Sequence, residues 1–265
     1  MCPTGVLLCD VCRIIQSPNL GFVSFKLLLA LVKFCMRVRA IITGATGMVG
    51  EGVLHECLNH EDVQEVLVIN RRPLGLKHPK LKEIIHTDFF DLSALEDQLH
   101  GYNACFFCLG VSSILMKEAK YYRLTYELTM NFANMMLRIN PKSVFCYVSG
   151  SGTDSSEDGN TMWARVKGLT ENHLLSLGFW DVYMFRPGFM YPTPGLKNTL
   201  KFYRYVNWMY PAFRKIFPGH VSTLRELAIA MIHAVTRGYE KPVLEVRDIV
   251  HLAKLDRHTI PSRIE

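Results

Sequence analysis

Three glycines at three-residue spacing could bind an anion. Gly44, Gly47 and Gly50 follow the apolar run 38–43 and precede a stretch with the apolar period of a helix. A strand that turns through glycines onto a helix N-terminus presents backbone N–H groups, and no Cβ atoms, to a pyrophosphate. The spacing therefore predicts a dinucleotide-binding turn; a tight turn that is rich in glycine by accident is the alternative. The expected phosphate contacts are Gly44, Thr46, Gly47, Met48, Val49 and Gly50.

The end of the second predicted strand, residues 63–70, indicates which dinucleotide would bind. A carboxylate usually holds a free ribose 2′-hydroxyl at this point, but here Asn70 is followed by Arg71 and Arg72. A guanidinium group binds a 2′-phosphate in bidentate fashion, whereas a carboxylate would repel it. The segment therefore predicts NADP(H) in preference to NAD(H), with an ordinary solvated basic turn as the alternative.

Two further strands are predicted, and each ends in candidate cofactor contacts. The run "KEIIHT" leads to Asp88 and Phe89, where a carboxylate could accept from the adenine amino group. Asp91 follows three residues later, and whichever of the two carboxylates does not contact the adenine could cap the following helix, "LSALEDQLHG". Because strands and helices alternate, we expect an α/β fold, a doubly wound parallel sheet of the Rossmann type. The fourth strand, "YNACFFCLG", would turn over the cofactor through Cys108, Leu109 and Gly110.

Composition limits the classes of partner. Apolar residues make up 49% of the 265 residues and the net charge is +6, so the chain can bury a core, and its charge does not indicate nucleic acid binding. Cysteines in apolar runs are typical of buried free thiols in a reducing compartment, and we expect a cytoplasmic protein. Cys105 and Cys108 form a CxxC within a strand, where their thiols would face opposite sides, so no metal site is predicted.

Four segments together resemble a known family. They are "TGATGMVG", the Asp88 position, "YVSGSG" after the fifth strand, and "FRPG" at residues 185–188. From Met36 to about Ala253 the chain resembles the short-chain dehydrogenase/reductase superfamily, in its extended and atypical branch of NAD(P)-dependent epimerase/dehydratase-like proteins. In that family a serine after the fifth strand orients the substrate oxygen. The resemblance gives this role to Ser151 first and to Ser149 second.

The same resemblance implies a tyrosine with a lysine four residues later. Lys167 matches the lysine, which holds the nicotinamide ribose and lowers the pKa of the phenol. Trp163 stands in the tyrosine position, and an indole N–H is not a practical acid or base. None of the eleven tyrosines has a lysine four residues later. Tyr191 is a speculative substitute from elsewhere in the chain. The resemblance also places Arg186, Pro187 and Gly188 along the nicotinamide side of the pocket.

The domain is predicted to span residues 36–253, with a small C-terminal substrate lid inserted at about 190–222. Aromatic and basic residues alternate from Lys201 to Tyr210, which could also stack nucleobases or contact a membrane or partner. We expect the lid, and no nucleic acid ligand. Residues 1–35 are expected to lie outside the domain, with a membrane-surface anchor over residues 22–36 as the alternative. Residues 254–265 are expected to fray.

Two functional hypotheses follow. The first is an NADP(H)-dependent oxidoreductase for an unidentified small molecule, whose proton comes from water, Lys167 or a displaced tyrosine. The second is a catalytically silent NADP(H)-binding sensor or regulator. Assembly into a homodimer is left open under both hypotheses. Ser151 and Lys167 favour the enzyme, and Trp163 favours the sensor. A sugar-nucleotide epimerase is a weaker third hypothesis, because that chemistry relies on the tyrosine.

Overall fold

The structure, a computed structural model, describes residues 37–198 and 210–255. Four of the sequence interpretations concern residues outside these ranges. They are the extension 1–35, the alternative anchor 22–36, the aromatic and basic segment from Lys201 to Trp208, and the tail beyond residue 255. Within the described ranges, no helix combines the length and the apolar character that are needed to cross a bilayer.

A parallel sheet of seven strands, in the order β3-β2-β1-β4-β5-β6-β9, positions the candidate site. The chain runs outward from β1 to β3 and then returns to the other side of β1, so the strand order reverses between β1 and β4. Such a reversal opens a crevice at the carboxyl ends of the strands, where open α/β sheets bind ligands. The described strands are β1 Val38–Thr43, β2 Val63–Asn70, β3 Leu81–Ile85, β4 Ala104–Phe107, β5 Val144–Val148, β6 Asp181–Arg186, β7 Phe189–Tyr191, β8 Val221–Thr223 and β9 Val243–Glu245.

Helices cover both faces of this sheet, which confirms the predicted doubly wound α/β fold. Ala40 and Ile42 of β1 are buried beneath the helices at residues 48–59, 224–237 and 246–254, while Ile41 is buried on the opposite face with the helix at 128–139. The described helices are α1 Met48–Asn59, the 3-10 helix Ser93–Leu99, α2 Glu118–Tyr122, the π-helical turn Arg123–Glu127, α3 Leu128–Ile139, α4 Met162–Leu175, α5 Tyr210–Ile216, α6 Leu224–Arg237 and α7 Val246–Lys254.

The structure departs from the sequence predictions where elements are short. The helix expected over residues 92–101 is a 3-10 helix of seven residues. The helix from Leu224 to Arg237 is preceded by residues 221–223, which form β8 and pair with β7 in a separate two-stranded sheet. Three-residue strands are too short to show the alternation that identifies a strand in a sequence.

The region predicted as a lid contains β7, β8 and α5 among its described residues. Arg214 of α5 donates from Nη1 to the Glu226 carboxylate of α6 at 2.8 Å, and Nη2 donates to the same carboxylate. Glu226 and Thr223 also form a capping box at the start of α6. The end of this region is therefore fastened to the main domain, and its function as a lid stays a prediction.

Candidate functional site

The glycine turn brings β1, β4 and α1 into close contact. Gly44 has φ of 73°, a left-handed conformation that residues with a Cβ atom rarely adopt. A Cβ at Gly44 would lie 2.8 Å from the carbonyl oxygen of Cys108, and one at Gly50 would lie 2.2 Å from the carbonyl oxygen of Gly44. Neither position therefore accepts a side chain without moving backbone atoms.

The N-terminus of α1 begins at this turn and is suited to an anion. Gly47 is the N-cap of α1, and no side chain of the described residues accepts a capping hydrogen bond there. Thr46 and Gly47 are exposed, while Met48 and Val49 are half-buried. The first N–H groups of the helix and its dipole therefore favour an anion such as a phosphate group at this exposed turn. These residues fit the diphosphate of a dinucleotide.

A carboxylate lies at the end of β2, although none follows that strand in the sequence. Oε1 of Glu83 accepts from Asn70 Nδ2 at 3.2 Å and from the Leu74 backbone N–H at 2.9 Å. Asn70 is buried, and its Oδ1 has no hydrogen-bond partner in the described part of the chain. Arg71 and Arg72 are exposed. Glu83 comes from β3, opposite Val68 of β2, so reading the residues after β2 could not find it.

Asp88 and Asp91, the two carboxylates after β3, have different contacts. Asp91 accepts from the Ser93 backbone N–H at 3.1 Å and from Ser93 Oγ at 2.7 Å, at the start of the 3-10 helix. The Ser93 hydrogen bonds lower the pKa of Asp91. Asp88 accepts from the Phe90 backbone N–H at 2.9 Å and is exposed, while Phe89 is buried. Asp91 therefore holds the turn, and Asp88 stays at the surface beside it.

The two cysteines of β4 and the following turn face opposite sides of the sheet. Cys105 is buried in the core on the α3 face, whereas Cys108 packs against the core on the α1 face. Burial raises the pKa of Cys108 to about 12, so its thiol stays protonated. Leu109 is half-buried and Gly110 is exposed beyond it. This turn therefore lines the edge of the crevice without providing a thiolate.

The structure distinguishes the two candidate serines after β5. Ser149 is buried, and its Oγ donates to Glu171 Oε1 at 2.5 Å. Ser151 is half-buried, and its Oγ makes no hydrogen bond to another residue within the described ranges. The backbone N–H of Ser151 donates to the Pro187 carbonyl at 2.8 Å. The Ser151 hydroxyl is therefore free to bind a ligand, and the segment 186–188 forms the adjacent wall.

Trp163 and Lys167 contact this serine loop from α4. Trp163 Cη2 would lie 3.6 Å from a Cβ at Gly152, so the indole packs against the loop. Lys167 donates from Nζ to the carbonyl oxygen of Ser149. Burial lowers the pKa of Lys167 to about 8, while the charge of Glu171 acts in the opposite direction. Trp163 and Lys167 thus both lie against the loop that carries Ser151.

Gly168 allows the chain after the serines to lie directly on α4. A Cβ at this position would lie 1.7 Å from the carbonyl oxygen of Asp154. The backbone N–H of Asp154 also donates to the Ala164 carbonyl of α4 at 3.1 Å. The glycine beside Lys167 is therefore required by close packing.

A buried ion pair lies behind these residues, and the sequence reasoning missed it. Glu171 is 1% exposed and Arg186 is 11% exposed. Nε of Arg186 lies 3.1 Å from each carboxylate oxygen of Glu171, and Nη2 donates to the same carboxylate. The guanidinium also donates to Glu245 Oε1 at 3.2 Å and to Ser155 Oγ at 2.5 Å. The Arg186 side chain is thus committed to protein partners.

The other residues predicted near the nicotinamide differ in their surroundings. A Cβ at Gly188 would lie 2.3 Å from the His220 carbonyl oxygen, so this glycine permits the approach of the chain before β8. The ring of Tyr191 lies 4.4 Å from that of Tyr210, measured between centroids. In the described residues, no hydrogen bond joins the Tyr191 hydroxyl to Ser151 or Lys167.

Comparison with known proteins shows what this chain is similar to. Residues 40–160 match the sequence model of the NAD dependent epimerase/dehydratase family. The match covers less than half of the chain and agrees with the predicted resemblance to epimerase/dehydratase-like proteins.

Individual relatives are more distant. The rat protein HTATIP2 is 26% identical over 149 residues, which cover 56% of this chain and 60% of the rat protein. The dTDP-glucose 4,6-dehydratase DesIV from Streptomyces venezuelae has a TM-score of 0.58 at 16% identity, covering 82% of this chain and 80% of that chain. A UDP-N-acetylglucosamine 4-epimerase from Methanobrevibacter ruminantium M1 has a TM-score of 0.56 at 15% identity, covering 82% and 81%. Likeness at these identities shows the fold.

Proposed function

We propose that this chain binds a nicotinamide dinucleotide across the carboxyl ends of β1, β2 and β4 and is an oxidoreductase for a small carbonyl compound. The observation that carries the proposal is the free Ser151 hydroxyl, in the loop after β5 whose Ser149 carbonyl accepts from the half-buried Lys167 amine of α4. The uncapped N-terminus of α1 supplies a fitting place for the diphosphate. When bound, the dinucleotide supplies the hydride, and the chain supplies orientation and exclusion of water.

NADP(H) is the proposed form of the cofactor. Arg71 and Arg72 are exposed at the end of β2, where two guanidinium groups can reach a 2′-phosphate. Glu83 opposes this choice, because its carboxylate lies against Asn70 at the same strand end. The structure of DesIV contains NAD, so the likeness to it does not favour NADP(H). The two arginines outweigh one carboxylate that already accepts two hydrogen bonds.

The residues of the reaction site differ in what they can do to a proton. Ser151 can orient a carbonyl oxygen through its hydroxyl, and Lys167 can donate from its ammonium group to a ribose hydroxyl. Trp163 can donate a hydrogen bond but cannot exchange its proton near neutrality. A lysine with a pKa of about 8 can also act as the acid, either directly or through one water molecule.

A second candidate function is supported by Trp163 itself. An NADP(H)-binding sensor needs the cofactor groove and Lys167, and it has no need of a general acid. In that case Trp163 closes the space where a substrate carbonyl would otherwise lie. The two candidates share the cofactor and differ in turnover, so they are separated by whether any carbonyl compound is reduced.

Calorimetric titration of NADP(H) and NAD(H) tests the proposal. Wild type should bind NADP(H) more tightly, and Arg71→Ala and Arg72→Ala should each reduce that preference. Lys142→Ala removes a positive charge at the amino end of β5, away from the site, and should leave the preference unchanged. Equal affinity for the two cofactors contradicts the NADP(H) choice, and binding of neither contradicts the function.

A further inference from the structure

Ser149 is held by α4 at two points, through its carbonyl oxygen and its hydroxyl group. Its carbonyl oxygen accepts from Lys167 Nζ, and its Oγ donates to Glu171 Oε1 at 2.5 Å. Lys167 and Glu171 are four residues apart, so they lie one above the other on the same face of the helix. Ser149 thus lies between an amine and a carboxylate that belong to one helical turn.

Glu171 is deeply buried and is balanced by Arg186. A carboxylate that is 1% exposed is costly unless it is paired and its oxygens are hydrogen-bonded. Arg186 meets both oxygens, and its remaining groups reach Glu245 and Ser155. The pair therefore joins α4 to the carboxyl ends of β6 and β9, directly behind the serine loop.

We propose that Glu171 is a positioning residue, which fixes the Lys167 ammonium group relative to Ser151 by holding Ser149 between them. This rests on the proposed function, in which Lys167 and Ser151 face cofactor and substrate. Ser151 follows Ser149 by two residues, and both backbone N–H groups donate to the chain around Arg186, to the Phe185 and Pro187 carbonyls. A change at Ser149 is therefore transmitted to Ser151.

The charge of Glu171 has a second effect, which a structural role alone would not have. The titratable and charged groups around Glu171 are Lys167 on its own helix, Arg186 from β6 and Tyr147 from β5, and Glu245 of β9 lies beyond Arg186. Replacing the carboxylate removes a nearby charge that raises the pKa of Lys167. It also leaves the Arg186 charge without its partner, which acts in the same direction.

The test is the pKa of Lys167 in cofactor-free protein, followed by the 13Cε resonances of labelled lysines and assigned with Lys167→Arg. Glu171→Gln should lower this pKa by about one unit, the usual effect of losing a close opposite charge. Glu118→Gln is the control. Glu118 of α2 also pairs with an arginine, Arg165 of α4, but it is 56% exposed. The control should leave the Lys167 pKa within a few tenths of a unit. An unchanged Lys167 pKa in Glu171→Gln overturns the proposal.

Ser149→Ala keeps the proposal testable if Glu171→Gln does not fold. The substitution removes the hydroxyl that bonds to Glu171, so the Ser149 carbonyl should hold the Lys167 ammonium group less firmly. The Lys167 pKa should then fall, as in Glu171→Gln, and an unchanged value overturns the link through Ser149. The losses of NADP(H) affinity in Ser149→Ala and Glu171→Gln should be less than additive in the double variant, and additive losses refute the coupling. If wild type binds no dinucleotide, the proposed function fails, whereas the pKa result still measures the contact.

Discussion

Trp163→Tyr is expected to create reductase activity toward small carbonyl compounds. Positions 163 and 167 are one helical turn apart on α4, about 6 Å along its axis, so a tyrosine would stand on the same face as Lys167. The indole already reaches the serine loop, with Cη2 at 3.6 Å from a Cβ at Gly152. A phenol at this position would therefore lie beside Ser151. A positioned general acid is typically worth ~10²–10⁴-fold in rate, which is the gain expected over wild type.

The assay is the oxidation of NADPH with a panel of small aldehydes and ketones, measured across pH. The gain should follow the protonation of a new acid, and adding Lys167→Ala to Trp163→Tyr should remove it. Trp180→Tyr, a change outside α4, is the matched control and should give no gain. The reasoning is refuted if wild type already reduces carbonyls at ordinary rates and Trp163→Tyr changes nothing. The proton donor then lies elsewhere, and Tyr191 becomes the next residue to substitute.

Two further changes test the packing and the electrostatics of α4. Gly168→Ala should destabilise the protein by roughly 2–4 kcal/mol in urea unfolding, because its Cβ would lie 1.7 Å from the Asp154 carbonyl oxygen. Gly178→Ala, with nothing within 4 Å, should cost far less, and equal losses would contradict the close contact. Burial lowers the pKa of Lys167 from 10.5 to about 8, so between these pH values the unfolded chain binds more protons than the folded protein. The free energy of unfolding should therefore rise from pH 8 to pH 10.5. Lys167→Met should abolish this rise between pH 8 and 10.5, and a wild-type stability that is flat across the window would contradict the buried position.

Sequence reasoning succeeded where a single local pattern determines the structure. β1 and β2 have the predicted bounds because most of each strand is apolar and buried on both faces. Gly44 and Gly50 could be assigned from spacing alone, because only glycine fits where backbone atoms approach so closely. The fold of this half of the chain was therefore predictable, and the family match over residues 40–160 confirms it.

The missed residues depend on contacts between distant segments. Glu171 looks like any polar residue of a helix until the fold brings Arg186 beside it, and Glu83 reaches the end of β2 only through strand pairing. The choice between Ser149 and Ser151 also depends on the three-dimensional structure of the loop after β5. Residues two apart on a strand share a face, but Gly150 between them has φ of 146° and interrupts the alternation.

The placement of the nicotinamide beside Trp163 is tested most directly by energy transfer from tryptophan to bound NADPH. The chain has three tryptophans, so Trp163→Phe can be compared with Trp180→Phe under identical conditions. Excitation of the indoles should give NADPH emission in wild type, most of which disappears in Trp163→Phe and remains in Trp180→Phe at equal NADPH occupancy. An undiminished signal in Trp163→Phe would contradict the proposed position of the cofactor over Lys167 and Ser151.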